Sequence, residues 1–330
     1  MADEWRTNGA TANDRRGWFG RVWPLATTLV IFAAIFSRIP FTRLSEALSR
    51  ADLVPFLALM AAFSLAFFAI DTLVLALAIR WFHGPLPYRD LLPVRASTYL
   101  VSLVNTQLAQ GALALYLHRR FLTPLGAITG TVLVLILLEV TQLIVFATAG
   151  MLAFPGSAPA SLLGVPAALA LLWAALAVFV RRPARGALAT HAVARTLRIA
   201  TPRQLLALLG LKSTTFLLAL VVHGIALSLF DIHIPWSRLL ASLPIVFMVA
   251  ALPITVAHLG TSQAAWIFFF RDYAPEASLL AYSLAAHLTF MLANGTLGLL
   301  FLPKAYADLV LRPRRDEPGG SRPSQKATSV

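Results

Sequence analysis

Long apolar stretches are the feature of this sequence that most constrains its fold. A transmembrane α-helix needs roughly 20 mainly apolar residues to cross about 30 Å of hydrocarbon, with its backbone polar groups paired inside the segment. Five stretches meet this requirement, and they run over Leu53 to Ile79, Gly126 to Ala149, Gly164 to Val180, Ser213 to Phe230 and Ala277 to Leu302. A sixth, Trp23 to Phe36, is shorter and has aromatic residues at its edge, as interfacial belts do. Because only 12% of the residues are charged, against about 25% in soluble domains, we predict an all-α, polytopic membrane helix bundle.

The distribution of basic residues predicts which loops face the cytoplasm. The loop MLAFPGSAPASLL has no charged residue, whereas Arg181 to Lys212 contains seven Lys or Arg, so the positive-inside rule places the first outside and the second inside. Extending this assignment leaves 22 basic residues inside and five outside, with inside segments at 1–22, 80–95, 118–124, 181–212 and 303–330. We therefore expect a multi-pass protein of the cytoplasmic (inner) membrane with both termini cytoplasmic. Its transmembrane domain would cover 23–305, between the N-terminal segment 1–22 and a tail, 306–330, with the composition of disorder.

The charge count holds only if two further apolar regions enter the membrane and return to the same side. These regions are Ala96 to Leu117 and Leu239 to Phe270. We predict that each is a re-entrant hairpin or broken helix, the first entering from the cytoplasm and the second from outside. With about six full spans, in a range of six to eight, this arrangement is typical of inverted-repeat transporters, although no literal sequence repeat is visible. Ser37 to Asp52 and Arg185 to Ile199 have the pattern of interfacial helices.

Polar residues are concentrated at the two predicted breaks. Unpaired polar groups are costly in lipid and glycine permits a break, so the first hairpin offers candidate substrate-binding residues at Asn105, Gln107, Gln110 and Gly111. Pro253 and Gly260 bracket the second break, whose candidates are His258, Gly260, Thr261 and Gln263. The run Gly260-Thr261-Ser262 resembles the start of a short helix whose amides could hold an anion such as a phosphate. Simple helix capping by Thr261 or Ser262 is an equal alternative.

Two carboxylates inside predicted spans are further candidates, because a charge at the centre of a transmembrane helix costs at least about 2.5–3.5 kcal/mol. They are Asp71 and Glu139, and Gln142 shares a helix face with Glu139. The alternative for Glu139 is a protonated side chain that bonds a neighbouring helix.

Three histidines, His223, His258 and His287, lie in apolar surroundings, and His287 shares a helix face with Asn294. For each, a packed side chain that bonds a helix carbonyl is favoured over a ligand. The chain has no cysteine and no HExxH spacing, so no metal site and no cofactor are expected. The net charge of +13 lies between apolar spans, which indicates membrane lipids as partners and not nucleic acids. A membrane-protein partner and the oligomeric state stay open.

Two segments resemble a known family. They are LAIRWFHGPLPYRDLLPVRASTYLVSLVNTQLAQGALALYLHRR and LPITVAHLGTSQAAWIFFF. Their order is similar to that in the flippase-like transmembrane region of lysylphosphatidylglycerol synthases, and the resemblance covers most of residues 20–305. The chain departs from the family pattern at Gly111-Ala112, where the family often has Gly-Glu, and at Gln263, where it often has Glu. These departures indicate a divergent, stand-alone member with an altered substrate, or one with lost activity.

The resemblance implies a function in lipid handling. We expect a transporter or flippase for an amphipathic lipid, anionic or lipid-linked, whose headgroup passes between the two hairpins. Arg95, Arg119 and Arg120 would attract the headgroup at the cytoplasmic face. The alternatives are an intramembrane glycosyl- or aminoacyl-transferase with Glu139 or Asp71 as base, and a membrane scaffold that transports nothing.

Overall fold

The computed structural model describes residues 26–103, 105–121, 123–154, 164–181, 192–252, 255 and 258–307, and these residues form helices and no strand. In chain order the α-helices are α1 Ala26–Phe36, α2 Phe41–Arg50, α3 Leu53–Phe82, α4 Tyr88–Ser102, α5 Thr106–Phe121, α6 Leu125–Ala153, α7 Gly164–Arg181, α8 Arg195–Ile199, α9 Pro202–Ser228, α10 Trp236–Ala250, α11 Thr261–Phe270 and α12 Glu276–Tyr306. The predicted polytopic, all-α membrane architecture is confirmed.

Four helices, α3, α6, α9 and α12, are long and apolar enough to cross a membrane by themselves. At 27 to 31 residues each, they are roughly 40–46 Å long, which exceeds the hydrocarbon thickness. The pair α1 and α2 bends by 83° and makes a fifth span if it is counted as one. The apolar stretch that starts at Gly164 forms the shorter helix α7, of 18 residues.

Both regions predicted to be hairpins consist of two short helices that pack on each other. The helices α4, α5, α10 and α11 have 15, 16, 15 and 10 residues, so each is only roughly 15–24 Å long and cannot cross alone. Helix α4 packs on α5, and α10 packs on α11. The first hairpin begins at Tyr88, eight residues before the predicted start, because α4 continues through Pro93.

The helix order long, short, short, long occurs twice, as α3 to α6 and as α9 to α12. Each hairpin packs on the last helix of the other half, since α4 contacts α12 and α10 contacts α6. Both contacts depend on glycine. A Cβ atom on Gly298 would lie 2.8 Å from the Ala96 carbonyl oxygen, and one on Gly150 would lie 2.5 Å from the Ala241 Cα.

The two halves are inverted with respect to each other. The N-terminal end of α3 meets the C-terminal end of α9, where the Asp52 amide donates to the Leu229 carbonyl over 2.9 Å. At the other end of this pair, Phe82 of α3 shares a core cluster with Leu208, near the start of α9. Because α3 and α9 are antiparallel, the hairpins that follow them enter from opposite ends of the bundle. The inverted repeat, a hypothesis at the level of sequence, is thus present in the packing.

The two predicted interfacial helices have different surroundings. Helix α2 has a buried Leu44 and an exposed Phe41, and it packs on α12. Of the second segment, residues 185–191 lie outside the described residues. Its remainder is docked on α6, where the fully buried Thr196 hydroxyl lies 2.8 Å from the Thr131 hydroxyl.

Candidate functional site

A cavity of about 430 Å³ is lined by residues of both hairpins. All eight helices of the two inverted halves contribute to its wall. From the first half come Met60, Arg95, Gln110 and Glu139, and from the second come Thr215, Phe247, Ser262 and Asn294. The cavity therefore lies at the centre of the repeat, where predicted broken helices from opposite ends come together.

The cavity wall is amphipathic. Its polar part consists of hydroxyl, amide, imidazole and charged side chains, namely Arg95, Thr98, Ser102, Gln110, Glu139, Gln142, Thr215, His223, His258, Ser262, Ser283, His287 and Asn294. Its aromatic part consists of Phe63, Phe67, Tyr99, Phe216, Phe247, Trp266 and Phe290. Such a wall suits a molecule with a polar head and an apolar body.

One ion pair joins the first hairpin to α3. The Arg95 Nε donates to the Asp71 Oδ2 over 2.5 Å, and the Tyr99 hydroxyl donates to the same oxygen over 2.9 Å. The side chains of Arg95 and Asp71 are 15% and 13% exposed. Arg95, predicted to attract a headgroup at the cytoplasmic face, is therefore a partly enclosed side chain in the cavity wall with a carboxylate behind it.

A second ion pair joins the two halves. The Lys212 ammonium of α9 donates to the Glu139 Oε2, and the Gln142 Nε2 donates to the Glu139 Oε1 over 3.1 Å. Glu139 and Gln142 thus lie on one helix face, as their spacing predicts. Assigning Lys212 to a cytoplasmic loop was wrong, because it is the eleventh residue of α9 and is buried. Its apolar flanks, LLALLGLKSTTFLLAL, were a signal for an intramembrane position.

The four charges form one cluster. Asp71 interacts electrostatically with Lys212 as well as with Arg95. Two basic and two acidic groups make the cluster neutral, which offsets the high cost of isolated charges away from water. Only Arg95 and Glu139 belong to the cavity wall; Asp71 and Lys212 stand behind them as counter-ions.

Three histidines, His223, His258 and His287, are among the other polar residues of the cavity wall. The His223 Nδ1 lies 2.5 Å from the Tyr282 hydroxyl, and the His223 ring is surrounded by the rings of Phe63, Phe247 and Trp266 at 5.5–6.3 Å. His258 lines the cavity with a positive φ of 61°, and His287 lines it together with Asn294, as their shared face predicts.

Several predicted substrate-binding residues instead hold the hairpins in shape. The Asn105 Oδ1 accepts from the Leu108 amide over 2.9 Å and so caps α5. At the start of α11, the Gln263 Oε1 accepts from the Gly260 amide over 2.7 Å, and the Thr261 hydroxyl donates to the His258 carbonyl over 3.1 Å. The capping contact at this helix start is thus made by Gln263, whereas the capping alternative named Thr261 or Ser262. Gly260, Thr261 and Gln263 do not line the cavity, but His258 and Ser262 do.

The other predicted residues do not line the cavity or lie outside the described residues. Gly111 is exposed, and a Cβ atom there would meet nothing within 4 Å. Arg119 is exposed near the end of α5. The side chains of Gln107 and Arg120, and Pro253, lie outside the described residues.

Comparison with known proteins agrees with the geometry. The family model described as the lysylphosphatidylglycerol synthase TM region matches residues 21–298, which covers both hairpins and all eight repeat helices except the end of the last. No curated protein matches the chain significantly.

Proposed function

Because the chain belongs to the lysylphosphatidylglycerol synthase transmembrane-region family, we propose that it binds an amphipathic membrane lipid and moves it between leaflets. The headgroup would occupy the cavity between the two hairpins while the acyl chains stay in the bilayer. The position of this cavity on the inverted repeat is the observation that carries the proposal, because a site shared by inverted halves can be opened towards either end.

The size and lining of the cavity fit a phospholipid headgroup. A volume of about 430 Å³ is at the lower end of the range for small-molecule sites, which runs to roughly 1,000 Å³. Such a volume accommodates a headgroup and not two acyl chains. The guanidinium of Arg95 is suited to a phosphate, because its planar fork can donate two parallel hydrogen bonds.

The remaining polar residues would orient the headgroup. Gln110, Gln142, His258, His287 and Asn294 supply hydrogen-bonding groups around the same space. Arg119, with Arg120 next in sequence, would raise the local concentration of anionic lipid where α5 ends. We also propose the cytoplasmic membrane, with both termini cytoplasmic, because the basic residues favour that orientation.

The transferase alternative is less well supported. It requires Asp71 or Glu139 to act as a base, and each carboxylate already accepts from a cationic side chain. No feature of the described residues specifically favours the scaffold alternative, whereas the cavity favours a protein that binds a ligand.

A vesicle assay tests the proposal. The protein is reconstituted into phosphatidylcholine vesicles that contain traces of acyl-NBD phospholipids, and dithionite reports the labelled lipid that reaches the outer leaflet. We expect protein-dependent translocation, slowed by about tenfold or more in Arg95→Gln, since a charge-assisted hydrogen bond contributes about 1.5–3 kcal/mol.

Two further variants separate function from folding. Arg95→Lys keeps the ion pair with Asp71 but loses the planar fork, so it should fold and still translocate slowly. The matched control is Arg203→Gln, at an exposed arginine near the start of α9, which should behave as the wild type. Absence of translocation of every phospholipid by well-folded protein would contradict the proposal.

A further inference from the structure

The charges and the unpaired acceptors of the cavity define a narrower ligand class. We infer that the cavity selects a headgroup with one phosphate and one primary ammonium, as in phosphatidylethanolamine. This inference rests on the proposed function for its site, but it concerns which lipid is bound and not whether the lipid is moved.

The cavity wall presents one cation and one anion. Arg95 and Glu139 line the cavity, whereas their partners Asp71 and Lys212 do not. A ligand with a phosphate alone would satisfy Arg95 and leave Glu139 facing a second negative charge. A ligand with one group of each sign is complementary to both residues.

Glu139 has acceptor capacity left for an ammonium. A carboxylate offers about four acceptor positions, and Lys212 and Gln142 occupy one on each oxygen. The Glu139 side chain is still 44% exposed, so its free lone pairs are accessible to a ligand. The buried Lys212 ammonium, by contrast, does not line the cavity.

Two buried amide oxygens in the same wall have no partner among the described residues. They are the Gln142 Oε1 and the Asn294 Oδ1, on side chains that are 2% and 6% exposed. The Gln142 amide cannot be flipped, because its nitrogen must donate to a carboxylate that only accepts. Buried acceptors without a donor are rare in native proteins and indicate a ligand that supplies one.

The combination favours a primary ammonium over other headgroup cations. A primary ammonium carries a charge for Glu139 and N–H donors for both Glu139 and the neighbouring Gln142 oxygen, with a third donor left for another acceptor of the wall. A trimethylammonium has the charge but no N–H donor. A glycerol headgroup has donors but no charge, and an aminoacyl headgroup with two ammonium groups has one cation more than Glu139 can neutralise.

The opposite end of the headgroup would bind Arg95. Only the Nε of Arg95 donates to Asp71. Apart from any N–H shared with Tyr99, the other donors of its five would therefore be available to bind a phosphate. The phosphate would then be held by Arg95 of α4 and the ammonium by Glu139 and Gln142 of α6.

Equilibrium binding tests this inference independently of transport. The full-length protein is placed in nanodiscs that contain phosphatidylcholine, phosphatidylethanolamine and phosphatidylglycerol in equal amounts and with identical acyl chains. The lipid that stays bound to the protein is then quantified by native mass spectrometry. We expect phosphatidylethanolamine to be enriched about tenfold or more over either competitor, which is the effect of the charge-assisted bond to Glu139 alone.

Variants assign the selectivity to the named side chains. Glu139→Gln/Lys212→Gln removes both charges of one pair, so the cavity stays neutral and no counter-ion is stranded; the enrichment should be lost. Gln142→Leu, which removes only the orphan acceptor and the bond to Glu139, should reduce it severalfold. The matched control is Glu276→Gln, an exposed glutamate at the start of α12, with enrichment unchanged.

The outcomes are distinct. Equal retention of the three lipids, or preference for phosphatidylglycerol, would overturn the inference even if vesicles show rapid translocation. Enrichment of phosphatidylethanolamine that persists in the folded double variant would also overturn it. Enrichment without translocation of any lipid would leave the ligand class standing and remove the proposed transport function.

Discussion

Asp71→Asn is a substitution that changes few atoms and for which the structure predicts a large loss of stability. It converts one oxygen to an amide and removes the negative charge from the ion pair with Arg95, whose side chain is only 15% exposed. The Tyr99 hydroxyl donates to that same oxygen, so two hydrogen bonds weaken together. The guanidinium would then be left in the bundle without its counter-ion.

The size of the effect follows from the enclosure of the pair. Removing one partner of a buried ion pair costs about 3–5 kcal/mol, most of it from the charge left behind. Since the oxygen of the substituted side chain would still accept one bond and Arg95 reaches the cavity, we expect the lower end, about 3 kcal/mol. This loss corresponds to a factor of roughly 100 in the unfolding equilibrium.

Equilibrium unfolding in mixed micelles measures this loss, with a double-mutant cycle as the decisive step. Asp71→Asn/Arg95→Gln removes both charges, so it should be destabilised by about 1 kcal/mol or less relative to wild type, because replacing a buried pair by neutral groups is often nearly neutral. Asp272→Asn, at an exposed aspartate between α11 and α12, is the matched control. The reasoning is refuted if Asp71→Asn unfolds like this control, or if the double variant is less stable than the single one.

The packing of the repeat and the pH response yield two further predictions. Gly150→Ala should lower the free energy of unfolding by about 1–3 kcal/mol, because its Cβ would lie 2.5 Å from the backbone of α10, whereas Gly210→Ala, where the space is open, should be neutral or stabilising. Equal stability of the two variants would show that α6 and α10 are not in close contact. Burial and the positive charge of Arg195 lower the pKa of His83, so the folded chain prefers the neutral imidazole. Stability should therefore fall as the pH drops below about 6.5, the pKa of histidine in the unfolded chain. The stability of His83→Gln, measured by thermal unfolding, should fall less than that of the wild type between pH 7.5 and pH 5. An identical loss of stability in the variant would contradict this role of His83.

The architecture was predictable from sequence to the extent that it follows from segment length and loop charge. Apolar stretches of 18 to 27 residues predicted the four long helices. The count of basic residues required the two hairpins before any contact was known. The pairing of the charged side chains was not predictable in this way. Asp71 and Arg95 are 24 residues apart, and Glu139 and Lys212 are 73 apart, so only the packing of separate helices brings them together.

Polar residues near glycine and proline fall into two groups in the structure. Asn105 and Gln263 are polar residues at breaks, and both satisfy backbone amides that the breaks expose. A helix start in a membrane needs such caps whether or not a ligand binds nearby. Residues deep within helices, such as Glu139 and Asn294, carry no capping duty and line the cavity, as do Gln110 and His258 close to the two breaks.

The charged cluster also breaks the equivalence of the two inverted halves. Lys212 is the eleventh residue of α9, and the residue in the same place of α3 is Phe63. In the antiparallel pair of α3 and α9, Lys212 lies level with Asp71, on the side from which the first hairpin enters. Phe63 lies beside His223, which is roughly 16 Å from Lys212 along α9. One end of the site is therefore charged and the other aromatic. A headgroup should bind more tightly when the cavity is open at the charged end, so translocation in vesicles with uniformly oriented protein should saturate at lower lipid content from that side; equal saturation from both sides would show that the asymmetry has no effect on transport.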